Sequence, residues 1–163
     1  WGEFYGSEEA NRARLGHLEG VIFLLPWIAT IDSFQHWIYS NPNHSREERK
    51  DAWNSIRDRF GSVMDWEDYG NYRDTSWQQQ GHLFGVPFYY VEYGIAQLGA
   101  LQLWRTQRND SEKALTDYSN AMTLGNTRTL PELFSAADIE LGFGKAHLSS
   151  LIDEVRMAMA ELN

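Results

Sequence analysis

Phe88-Tyr89-Tyr90-Val91-Glu92-Tyr93-Gly94-Ile95-Ala96-Gln97-Leu98-Gly99-Ala100-Leu101-Gln102-Leu103-Trp104-Arg105 is apolar nearly all round when wound as a helix. A helix of that kind is buried on most sides. Gly94, Ala96, Gly99 and Ala100 interrupt the large side chains, which lets neighbouring backbones approach closely, so this segment is read as the central helix of the chain. Pro87 fits its first position, because the missing amide hydrogen would have no partner in the first turn.

Downstream, Asp110-Ser111 can cap a helix carrying Ala114, Tyr118, Ala121 and Met122 and closed by Gly125. Pro131 starts a short helix through Ala137. In the last segment Leu148, Leu151, Ile152, Val155, Met159 and Leu162 line one face, with Asp153, Glu154 and Arg156 opposite.

Upstream, Leu15, Leu18, Ile22, Leu25 and Ala29 recur at helical steps from Ser7 onward, and Asn41-Pro42-Asn43 ends that helix. Pro26 inside it predicts a kink near Ile22 or a break into two helices. Ser45-Arg46-Glu47-Glu48 has the capping-box spacing. The helix it opens has an apolar stripe of Trp53, Ile56 and Phe60, and Gly61 is placed to stop it in the left-handed conformation. Residues 62–80 show neither helical nor strand period and read as mostly irregular. No strand alternation or internal repeat stands out. The fold class is all-α, a multi-helix bundle, and length alone predicts a single helical domain over residues 1–163.

Fourteen basic against 23 acidic side chains leave a formal charge of −9, which repels phosphate backbones and anionic lipid. Neither nucleic acid nor a membrane surface is an expected partner. The longest apolar stretch, Val21 to Ile31, is broken by Pro26 and Thr30 and is shorter than the ~20 residues a bilayer span needs. Cysteine is absent, which removes disulfides and thiolate sites and agrees with a cytoplasmic location. Aromatic residues make up 14% of the chain, enough for a large rigid core. The sequence begins at Trp1 without an initiator methionine or a basic-then-apolar leader, so the expectation is a piece of a longer chain.

The histidines are His17, His36, His44, His82 and His147, and no two are four apart as in the zinc-binding HExxH helix. Asp32 and His36 are four apart, but no third or fourth ligand can be named for them, and a hydrogen-bonded structural histidine explains the pair as well. Gly142-Phe143-Gly144-Lys145 lacks the strand and the Gly-Lys-Ser/Thr context of a phosphate loop and reads as a turn. The remaining constellation lies around Gly81-His82-Leu83-Phe84-Gly85-Val86-Pro87. A glycine-containing turn followed by a helix start can hold His82 and the first-turn tyrosines over one pocket, with Tyr89 and Tyr93 on one helix face. Phenol and imidazole donors fixed in advance could stabilise an oxyanion. Aromatic packing around one hydrogen-bonded histidine explains the same residues.

The run from Gly81 through Trp104 strongly resembles the C-terminal signature of oligoendopeptidase F-like proteins, relatives of thimet oligopeptidase. Leu25-Pro26-Trp27, the stretch Asp32-Ser33-Phe34-Gln35-His36-Trp37-Ile38-Tyr39, and Leu130-Pro131-Glu132-Leu133-Phe134 agree with it, so the resemblance covers essentially the whole chain. It implies the C-terminal part of a helical bowl around a deep channel, in which zinc held by HExxH and a downstream glutamate activates water and short peptides are cut. None of those zinc-site residues has a counterpart here. The zinc of the intact enzyme is therefore expected on a missing upstream, N-terminal part, and none is expected on this chain alone, which should be inactive by itself. The resemblance gives His82, and with it Tyr89 and Tyr93, the role of binding substrate and transition state. Tyr90 can stand in for Tyr89, because the loop before the helix varies in length. The alternative is a non-catalytic helical binding or self-association module derived from that family. On either reading a face left open by the absent part, around Val21 to Ile28, is a candidate for homo-oligomer contact.

Overall fold

The computed structural model describes residues 2–61 and 64–162, and all regular structure among them is helical. In chain order these are α1 (Ser7–Ser40), α2 (Arg46–Phe60), α3 (Gly70–Thr75), a 3-10 turn (Ser76–Gln79), α4 (His82–Gly85), α5 (Val91–Asn109), α6 (Ser111–Thr123), α7 (Leu130–Ala136) and α8 (Lys145–Leu162). Within the span read from its length as one domain, the chain forms two compact units. One comprises the chain up to Glu19 and from Ile95 onward, the other Gly20–Gly94.

The Gly20–Gly94 unit is organised by α1 and α2. Ile31, Phe34 and Trp53 are fully buried, and Trp27, Trp37 and Trp77 pack around them. Phe34 meets Trp53 edge-on at 4.9 Å between ring centroids and Trp77 at 5.6 Å, arrangements that suit the ring quadrupoles. The Trp53 indole N–H donates to the Arg73 carbonyl (2.8 Å) and lies 3.1 Å from Ser76 Oγ. Ser45 and Glu48 form the capping box reciprocally: the Ser45 amide donates to Glu48 Oε2 (2.8 Å) and the Glu48 amide to Ser45 Oγ (3.2 Å).

Of the two outcomes expected at Pro26, the break into two helices does not occur, and three other local expectations are corrected in this unit. The backbone bond that proline forfeits is offset by burial beyond it, where Ile28, Ile31 and Phe34 enter the core. The buried side chains of α1 here are Val21, Ile28, Thr30, Ile31, Phe34 and Gln35, while Ile22, Leu25 and Ala29 are only half-buried. The helix is apolar on more than one side, so period alone does not select the face. Gly61 ends α2 in an extended conformation (φ −73°, ψ 167°), and glycine is needed because a Cβ would run into the Arg57 carbonyl oxygen. Finally, Gly70 to Gln79 is helical. Its turns are fixed from outside by the Trp53 bond to the Arg73 carbonyl, by Asn54 Nδ2 donating to Asp74 Oδ1 (2.6 Å) and by the Arg73–Asp58 ion pair. Such support leaves no period in the local sequence. Ser62 and Val63 lie outside the described residues.

In the other unit, α5, α6, α7 and α8 surround a core containing Leu98, Leu101, Ala114, Leu151, Val155 and Ala158. The small residues of α5 act as expected: a Cβ on Gly99 would stand 3.1 Å from Phe134 Cζ. In the Gly20–Gly94 unit a Cβ on Gly94 would likewise stand 3.3 Å from Ile28 Cγ2. Buried Gln102 clamps the chain after α7, its Oε1 accepting from the Glu140 amide (2.9 Å) and its Nε2 donating to the Glu140 carbonyl (2.9 Å). Asp110 Oδ1 caps α6 by accepting from the Lys113 amide (2.9 Å), and Gly125 after that helix adopts φ +52°. Tyr118 and Met122, read from period as part of the apolar face of α6, are 49% and 60% exposed and border an open groove with Leu103, Leu130 and Phe134.

By length and composition α1 does pass the test for a bilayer-crossing helix, which the shorter apolar run within it does not. Core helices of soluble proteins and signal sequences pass the same test, and Ile31 and Phe34 in the C-terminal half of α1 are fully buried. Val21 and Ile28, suggested as part of a self-association face, are buried within the chain; Phe23 is the large residue of that stretch that is well exposed.

Candidate substrate-facing site

The segment Gly81 to Tyr93 departs from the expected turn followed by a helix from Pro87. After the short α4 the chain turns at Pro87 and Phe88, and α5 begins only at Val91, not at Pro87. Phe88 has φ +59°, a left-handed conformation that a bulky residue adopts at a cost of about 1–3 kcal/mol. The turn is held from outside: the Phe88 amide donates to Oε1 of buried Gln35 (2.9 Å), and the Phe88 ring packs against His36 (4.9 Å) and Tyr39 (5.0 Å).

This reversal brings Tyr89, Tyr90 and Tyr93 back over His82. Ring centroids of Tyr90, Tyr93 and Tyr89 lie 4.8, 5.6 and 6.5 Å from the imidazole. Tyr89 and Tyr93 contact one another edge-on at 5.9 Å even though Tyr89 precedes the helix. The Tyr93 hydroxyl stands 3.5 Å from His82 Nε2. Tyr89 and Tyr93 are 51% and 45% exposed, so the cluster is an open face carrying phenol groups. Tyr90 points inward, and burial pushes its phenol up while the neighbouring Trp27 indole N–H works against that rise. The four residues singled out from sequence are thus brought together.

Sequence reasoning missed the groups beneath the imidazole. Gln80 Nε2 lies 2.7 Å from His82 Nδ1, and the Trp27 indole N–H donates to Gln80 Oε1 (3.3 Å). Nothing in Gln78-Gln79-Gln80 distinguishes the last glutamine from the other two.

Among the described residues no group of three or more His, Cys, Asp or Glu side chains is placed to hold a metal ion. Asp32 Oδ2 and His36 Nε2 approach to 3.6 Å, a pair of groups and not the set of three or four that a zinc site takes.

Solved structures place the whole arrangement in a known context. Over 94% of its length the chain superposes with a TM-score of 0.87 on a structure described as an oligoendopeptidase F, at 32% identity. Over 99% of its length it matches PZ peptidase A, solved with an inhibitor (TM-score 0.89, 29% identity). An oligoendopeptidase F from Bacillus anthracis str. Ames matches over 94% of the chain (TM-score 0.73, 29% identity). The chain covers 27%, 29% and 24% of those three structures, so it corresponds to a portion of larger helical peptidases. The model of peptidase family M3 matches residues 5–151, and the chain belongs to that family of zinc metallopeptidases. Comparison with curated proteins returns no match.

Proposed function

We propose that this chain is the segment of an M3 oligopeptidase that binds short peptide substrates and stabilises the oxyanion, while the zinc-binding residues lie on another part of the enzyme. The observation that supports it is the convergence of the Tyr93 hydroxyl and His82 Nε2, 3.5 Å apart, on an exposed face. Attack on a peptide carbonyl puts negative charge on its oxygen. Two donors held side by side can both reach that oxygen and stabilise the charge as it develops. Tyr89, exposed beside them, and Tyr90, beneath them, supply aromatic walls for the peptide. The spacing of 3.5 Å is long for a hydrogen bond, which leaves both groups free to turn toward a bound oxygen.

In an intact family enzyme carrying this segment, Tyr93→Phe is expected to lower kcat on the order of 10²-fold or more while leaving folding intact. His82→Ala should do the same. Near-normal kcat in both variants would assign the cluster to packing and leave the non-catalytic reading standing.

A further inference from the structure

We propose that Trp27 and Gln80 act as positioning residues that hold the neutral His82 imidazole with its proton on Nε2, so that it meets substrate as a donor and not as a base. The inference rests on the reading of this cluster as substrate-facing. An indole N–H donates and cannot accept. The Trp27 N–H also faces the Tyr90 phenol, and the Gln80 atom 3.3 Å from Trp27 Nε1 is the carbonyl oxygen, because an amide NH2 turned that way would set donor against donor. With the amide orientation fixed, the Gln80 NH2 faces His82 Nδ1 at 2.7 Å. Nδ1 must accept. The single proton of the neutral ring then sits on Nε2, the nitrogen that faces the Tyr93 hydroxyl.

The consequence is functional. An Nε2–H beside Tyr93 gives the site two donors toward one oxygen, whereas the opposite tautomer would place a lone pair against the developing negative charge. The tautomer is set from the buried side, by residues 53 positions apart in sequence, and does not depend on substrate being present.

The test is two-bond proton–nitrogen NMR of histidine rings in the 163-residue chain, at alkaline pH where the imidazoles are neutral. The His82 signals are identified by their loss in His82→Gln. Free imidazole already favours the Nε2–H form, so the discriminating variant is Gln80→Glu, which is nearly isosteric. A carboxylate still accepts from Trp27 but can only accept from the ring, and it should draw the proton to Nδ1. Gln80→Leu, which offers neither group, should give a mixture of the two forms. Backbone amide spectra confirm that each variant is folded. A wild-type ring protonated on Nδ1, or an Nε2–H ring unchanged by both Gln80 variants, overturns the inference. Kinetics of Gln80→Glu in an intact family enzyme separate this result from the function proposed above. A switched tautomer with a fall in kcat comparable to that of Tyr93→Phe upholds both. A switched tautomer with normal kcat keeps the tautomer assignment and removes the oxyanion role.

Discussion

The Gly20–Gly94 unit contains two aromatic clusters built to opposite ends. Around Phe34 and Trp53 the rings are closed off: both are fully buried, and the one polar atom of Trp53 is bonded to the Arg73 carbonyl. Around His82 the rings are left open: Tyr89 and Tyr93 are about half exposed, and the Tyr93 hydroxyl stands at the long distance of 3.5 Å from His82 Nε2. Aromatic content alone does not separate the two. The difference lies in where the polar atoms end up. A cluster that serves stability satisfies them internally, while one that serves binding leaves them aimed outward over a satisfied base. Gln80 and Trp27 are that base, with Trp27 also packed against the core.

The largest difference between the clusters is expected at Trp53. Trp53→Ala should destabilise the chain by about 3–5 kcal/mol, because it removes a fully buried ring from between Phe34 and Trp27. Denaturant unfolding measures this, and a loss below about 1 kcal/mol would mean that the closed cluster is not the core.

Removing only the polar atom sharpens the contrast. Trp53→Phe should cost more than Tyr93→Phe in the same unfolding experiment, since the former deletes a buried bond and ring volume together. Tyr93→Phe should stay within about 1 kcal/mol of the parent chain, since its hydroxyl is exposed and only 3.5 Å from its partner. Equal losses would erase the distinction between the clusters.

A smaller effect concerns the cap of α2, which carries Trp53 into the core. Glu48 is held below its usual range by accepting from the Ser45 amide, with the Ser45 hydroxyl adding to this. A carboxylate depressed in the folded state stabilises it above the unfolded pKa and loses that contribution as pH falls through the folded one. Helix protection in α2 should therefore weaken from about pH 4.5 downward, and Glu48→Gln should remove that pH dependence. Hydrogen exchange at the Arg46–Phe60 amides follows it, and an unchanged profile in the variant would exclude the cap as the cause.

Much of this was legible from residue order. The capping box of α2, the small residues of α5 and the apolar face of α8 depend on spacings of a few residues, and short-range geometry sets them. What period could not show is which side of α1 is buried, because that helix offers more than one apolar face and the partner chooses between them. Likewise, residues 70–79 carry no pattern of their own and become helical through Trp53, Asn54 and Asp58. Only the tertiary structure puts Gln35 against the Phe88 amide, allowing a left-handed phenylalanine that delays α5 and turns the tyrosines onto the histidine. Only it, too, selects Gln80 from three consecutive glutamines, because an indole N–H from α1 fixes the amide and a fixed amide fixes the imidazole proton.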